Sequence, residues 1–168
     1  RPPPPPSAPP SPPLALCPQV MMAPTYLKWM LLFEDPNSRT LTLAKALPRD
    51  WLAVGQPPVV VRNATSRYGR LSYSLHATSH TSARSKFTVA ANVTLPPTFG
   101  STLNAPPGGV QLRMRAPVQH AGKLVSVQVG GKPWTAFDAT AETINFAAEL
   151  LSPTLIKEMQ SIVATWSH

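Results

Sequence analysis

Residues 70–76, RLSYSLH, and 86–95, KFTVAANVTL, decide the fold. Leu71, Tyr73 and Leu75 alternate with Arg70, Ser72, Ser74 and His76; Phe87, Val89, Ala91, Val93 and Leu95 alternate with Lys86, Thr88, Ala90, Asn92 and Thr94. Successive side chains on a strand point to opposite faces, so this pattern buries one face and wets the other. The same period recurs downstream in Val110, Leu112 and Met114, and again in Val125, Val127 and Val129. Gly, Pro, Asn and Ser clusters separate the four segments. Serial half-buried strands of this kind predict an all-β domain, an antiparallel β-sandwich with short flanking helices.

Working outward, Gly130-Gly131-Lys132 closes a tight turn before Trp134, and Ile144 and Phe146 suggest a further strand. Ser152 can cap a helix with Pro153 at its first position. The spacing predicts a short helix from Pro153 to about Gln160, then a closing strand through Ile162, Ala164 and Trp166. Toward the N-terminus, Val59-Val60-Val61 reads as a short strand, and Pro48 to Leu52 as one helical turn stopped by Gly55. Glu34 to Ser38 is a turn that pairs the Leu41/Leu43 strand back on the preceding chain. Tyr26, Leu27, Met30, Leu31 and Phe33 have helix-like spacing after Pro24. Residues 1–18 hold ten prolines, a composition for extended or disordered chain. The expected organisation is a Pro-rich linker over residues 1–22 and a β-sandwich over 23–168.

Charged residues are only 13% of the 168, about half the usual share, so the surface is Ser, Thr, Asn and Gln rather than ion pairs. The net charge of +8, from 15 basic and 7 acidic residues, reflects a shortage of acids. The basic residues are scattered and form no dense patch, which argues against nucleic acid. No apolar run approaches the about 20 residues of a membrane span. Cys17 is the only cysteine, which rules out a disulfide within these residues and a Cys-based zinc site.

Chemistry is sparse. Glu34 and Asp35 are neighbours in a turn and do not form the paired carboxylates of a glycosidase. His76 and His80 flank a Ser/Thr-rich loop without a third ligand, so neither metal nor cofactor is expected. Gly108-Gly109 lacks the spacing of a phosphate loop. Trp51 and Trp134 sit beside turns and are the candidates for stacking on sugar rings, although tryptophans more often fill cores and seams. Asn63-Ala64-Thr65 and Asn92-Val93-Thr94 are glycosylation sequons, a hint of secretion, and Asn92 falls on the wet face of its strand.

Four runs together resemble the C-terminal region of six-hairpin (α/α)-barrel glycoside hydrolases: LKWMLLFEDPNSRTLTLAKALPRDWL (27–52), VVVRNATSRYGRLSYSL (59–75), APPGGVQLRMRAP (105–117) and VSVQVGGKPWTAFDATAETINF (125–146). The likeness lies in pattern and order over about residues 24–166 and carries no catalytic signature. It implies that residues 23–33 are the remnant of a barrel helix and that the rest is the sandwich closing the barrel's end. It places the catalytic carboxylates upstream, in a helical barrel missing from this chain, so no catalytic residue carries over. Glu34, Asp50 and Trp51 match motif positions and take structural roles. The expected function is a non-catalytic accessory domain whose partner is that barrel. The alternatives are an independent carbohydrate-binding module and a Pro-tethered protein-interaction domain.

Overall fold

The computed structural model describes residues 18–79, 86–100 and 104–167. Cys17, His80, His168 and the proline tract up to residue 17 lie outside them. In chain order come α1 (Pro18–Leu31), β1 (Leu32–Glu34), β2 (Leu41–Leu43), β3 (Val59–Ser66), β4 (Gly69–Ser79), β5 (Phe87–Thr94) and β6 (Val110–Arg113). There follow β7 (Leu124–Val129), β8 (Lys132–Trp134), β9 (Phe137–Asp138), β10 (Thr143–Phe146), α2 (Pro153–Glu158) and β11 (Ile162–Trp166). The fold is all-β, with few short helices.

The strands form two sheets, one of five in the order β1-β2-β6-β10-β9 and one of six in the order β3-β4-β5-β11-β7-β8. Buried residues of both sheets belong to one hydrophobic cluster, with Leu43, Leu112 and Phe146 from the first and Leu75, Val89, Ile162 and Trp166 from the second. Each such side chain contributes about 1.5–3 kcal/mol by leaving water. The alternation of residues 71–95 does what the pattern implies: Leu71, Tyr73, Leu75, Phe87, Val89, Ala91, Val93 and Leu95 are all buried.

Three features depart from the expectation. One pair, β2 with β6, is parallel, Leu41 facing Val110 and Leu43 facing Leu112. The chain between them passes through the second sheet, so no hairpin turn dictates their direction. The second departure is Val125, which is 52% exposed while Leu124 is 4% exposed. The register shifts there, Trp166 opposing Leu124 and Thr165 opposing Ser126, so a β-bulge resets the inward phase by one residue. The third is α1, which begins at Pro18, inside the segment expected to be linker, and carries Pro24 within it.

Turn chemistry accounts for the connections. Gly130 and Gly131 adopt φ of 58 and 78° between β7 and β8, the left-handed pair that two-residue hairpins require. Ser152 caps α2 by accepting from the Leu155 amide at 3.2 Å, with Pro153 at the first position. Asp35 Oδ1 accepts from the Asn37 amide at 2.8 Å and the Ser38 amide at 3.3 Å, which makes the β1–β2 turn. Those amides hold the Asp35 carboxyl below its usual range.

Gly109, just before β6, lies close against the end of β10. It has φ of 79°, and a Cβ there would lie 2.3 Å from the Phe146 carbonyl oxygen. At Gly131 φ is 78° but nothing lies within 4 Å of the corresponding position. Gly109→Ala is therefore expected to cost about 3 kcal/mol and Gly131→Ala about 1 kcal/mol, read as urea unfolding followed by tryptophan fluorescence. Equal losses would show that backbone strain alone, not the close approach, governs the entry to β6.

Candidate functional site

The acids do not assemble a reaction centre. Glu34 is paired with Arg67 at 2.9 Å, and Glu158 with Lys132 at 2.6 Å. Asp35 closes its turn, and Asp138 Oδ1 accepts the Ala141 amide at 2.8 Å. Asp50 is exposed. Among the described residues no three of His, Cys, Asp and Glu cluster to hold a metal ion. No helix among them is long and apolar enough to cross a membrane.

Glu142 is the exception in burial, at 0% exposure. Its Oε1 accepts from the Ala116 amide (3.3 Å), the Gly122 amide (3.3 Å) and the Trp166 indole (3.2 Å), while Oε2 meets Arg49 Nη2 at 2.7 Å. Arg49 also donates to the Ala116 carbonyl. A carboxylate so committed, with no second acid beside it, is a structural anchor. Nothing in its sequence neighbourhood marks it, for its burial follows from long-range partners.

Arginines on β6 and just beyond it bind the neighbouring loop. Arg113 donates to the Ala141 carbonyl and to the Lys45 carbonyl, both at 3.1 Å, and Arg115 donates to the Leu47 carbonyl at 3.2 Å. Partial burial, and then the charges of Arg49 and Arg113, lower the Arg115 pKa from the usual guanidinium value.

The distinctive surface surrounds α1. Its last carbonyls are well used: Leu31 O accepts the Tyr73 hydroxyl at 2.9 Å and the Ala44 amide at 2.7 Å, and Met30 O accepts the Ala46 amide at 3.0 Å. Its side chains are not. Met22, Tyr26, Leu27 and Trp29 are between 41 and 59% exposed. Tyr26 and Trp29 meet edge to face at 5.8 Å.

Three open clefts adjoin the end of this helix. One of about 350 Å³ is lined by Leu31, Trp51, Gln56, Pro57, Pro58 and Val59 to Val61. A second, of about 240 Å³, runs between Lys28, Leu31 and Leu32 and the strand residues Val61, Ala64 and Thr65. The third, of about 360 Å³, lies on the other flank, between Tyr26, Trp29, Met30 and Phe33 and the cations Lys45 and Arg113. Lys45 Nζ sits 3.2 Å from the Phe33 ring centroid, a cation–π contact at the cleft wall.

The two candidate tryptophans do not meet. Trp51, 43% exposed, lines the cleft at the β3 edge of the six-stranded sheet. Trp134 lies on β8, the edge strand at the other end of that sheet's order. Trp134 is half-buried, meets Phe146 in a tilted ring contact at 5.2 Å and donates its indole N–H to the Asn145 carbonyl at 3.2 Å. Its aromatic face is used inside the molecule. Of the sequon asparagines, Asn92 is exposed on the outer face of β5, and Asn63 is exposed in a bulge of β3 with φ of 51°. The sequence marks Leu31 only as part of the helical spacing and gives Gln56, Pro57 and Pro58 no role at a site; the meeting of α1 with β3 makes them neighbours.

Tyr73 couples the core to this surface. Burial pushes its phenol well above the ordinary value near 10. A folded-state pKa raised above the unfolded value means that the stabilisation is full below about pH 10 and is lost as pH rises beyond it. Tyr73→Phe should cost about 1 kcal/mol at pH 7 and remove part of the alkaline loss, measured by thermal denaturation between pH 7 and 11. Glu142→Gln should cost about 3 kcal/mol, at the lower end for a broken buried pair because Arg49 keeps some solvent contact. A chemical-denaturation midpoint unchanged in that variant would show the anchor to be dispensable.

Neither a family model, nor a curated protein, nor a solved structure matches this chain.

Proposed function

We propose that residues 23–168 are the non-catalytic C-terminal accessory domain of a carbohydrate-active glycoside hydrolase of the six-hairpin type. In this reading the two sheets pack face to face as a β-sandwich, and α1 is the last helix of a barrel or its exit. The domain's work is mechanical: it offers an apolar surface to the barrel and keeps its own core closed.

One observation carries the proposal. The helix that enters the first sheet leaves Met22, Tyr26, Leu27 and Trp29 in water beside clefts walled by Leu31, Trp51 and Val59 to Val61. Contiguous exposed apolar surface of this kind marks an interaction site. Carbohydrate binding by the domain alone has weaker support, because Trp51 and Trp134 stand at opposite sheet edges.

The test is to read the coding sequence upstream of Arg1 and to express the longer protein beside residues 1–168. The expected result is an upstream helical barrel with paired carboxylates and glycan hydrolysis by the longer protein only. An upstream region without such a barrel would overturn the proposal. A glycan array with the 168-residue chain, the Trp51→Ala variant and the Trp134→Ala variant should give no binding that either substitution removes; sugar binding lost in Trp51→Ala would move the function to a carbohydrate-binding module.

A further inference from the structure

We infer that the α1 face docks a protein surface with an apolar centre and an acidic rim. This deepens the docking role proposed above and rests on it, but commits to the chemistry of the partner.

The argument begins with charge. α1 carries Lys28 and no acid. Lys28 lines the cleft on one flank, and Lys45 and Arg113 line the cleft on the other. Glu34, the acid nearest to α1 in sequence, is already paired with Arg67 at 2.9 Å, and Asp35, whose charge reaches Lys45, is bound to the Asn37 and Ser38 amides of its own turn. Cations therefore bracket the exposed Tyr26, Leu27 and Trp29 on both sides. A second copy of this chain would bring Lys28, Lys45 and Arg113 against the same residues. That like-charge meeting disfavours a homodimer through this face. A partner with carboxylates at the margin gains at both flanks and is steered into register.

The shape argues for protein over sugar. A sugar site is a groove with several convergent polar groups. Here the helix lies between clefts with few polar groups: Leu, Pro and Val dominate the wall of one, a second is lined by Leu31, Leu32, Val61 and Ala64 with Lys28 and Thr65, and the third is walled by Tyr26, Trp29, Met30, Phe33 and Ala46 with Lys45 and Arg113 as its polar members. An apolar centre with charges at the rim is the anatomy of a protein interface.

The test uses the full 168-residue chain and two synthetic amphipathic helical peptides with the same apolar stripe, one flanked by Glu and one by Lys. Binding is read from tryptophan fluorescence and calorimetry at low and high salt. The Glu-flanked peptide should bind about fivefold or more tightly than its Lys-flanked counterpart, as expected for two exposed ion pairs, and high salt should erase the difference. Lys28→Glu, on an exposed helix position and expected to fold, should reduce or reverse the preference; Lys28→Glu with Lys45→Glu should reverse it. Trp29→Ala should weaken both peptides. Equal binding of the two, preference for the Lys-flanked peptide, no binding of either, or indifference to Lys28→Glu would each overturn the inference. So would dimerisation at micromolar concentration that Trp29→Ala abolishes, or tighter capture of polygalacturonate than of either peptide. Failure here with a helical barrel found upstream would sink only the acidic rim; success here without such a barrel would sink only the hydrolase reading.

Discussion

The buried carboxylate of Glu142 ties together parts of the chain that the sheets alone would leave independent. Four donors converge on it, from Arg49, Ala116, Gly122 and Trp166. Arg49 belongs to the 3-10 turn before β3, Ala116 and Gly122 to the segment between β6 and β7, and Trp166 to the last strand. A charge in a low-dielectric interior must keep its partners or cost several kcal/mol. Glu142 also holds φ of 54°, a conformation that non-glycine residues seldom adopt, while its own carbonyl accepts the Met114 amide at 2.9 Å. The local strain is offset by the number of bonds that converge there.

That anchor reaches the surface through the 3-10 turn Arg49–Leu52. Arg49 points inward to the carboxylate, Leu52 is buried, and Trp51 between them is turned out to the cleft. The position of Trp51 thus follows from a buried ion pair and not from contacts of its own ring. A second tether works beside it: the Tyr73 hydroxyl, rising from β4, holds the last carbonyl of α1. The exposed face is consequently built on rigid supports while its apolar side chains remain unpartnered.

Much of the β framework is legible in the sequence, because burial with period two is a local signal. Residues 71–95, the α2 cap at Ser152 and the Gly130-Gly131 hairpin all follow from local chemistry. What was not legible depends on distant partners. The bulge at Val125 appears only when β11 is laid beside β7. The parallel pairing of β2 with β6 needs the intervening second sheet. Trp134 looks exposed from its place beside a turn, yet the Asn145 carbonyl and Phe146, eleven and twelve residues on, claim it. Glu142 reads as one acid among seven, and its role emerges from residues up to 93 positions away, at Arg49.

The scarcity of charge takes on a spatial meaning once the sheets are in place. The outer side of β4 and β5 presents Ser72, Ser74, Asn92 and Thr94, polar and uncharged, with Ser72 opposite Thr94 and Ser74 opposite Asn92. That stretch is polar and wetted, with Arg70 and His76 extending the same face along β4, and the Asn92 sequon opens onto it. The α1 side has the opposite character, with aromatic and aliphatic side chains bracketed by cations. Water tolerates the first face and is poorly accommodated by the second. Among the described residues, Tyr26, Leu27 and Trp29 form exposed apolar surface whose burial would release water.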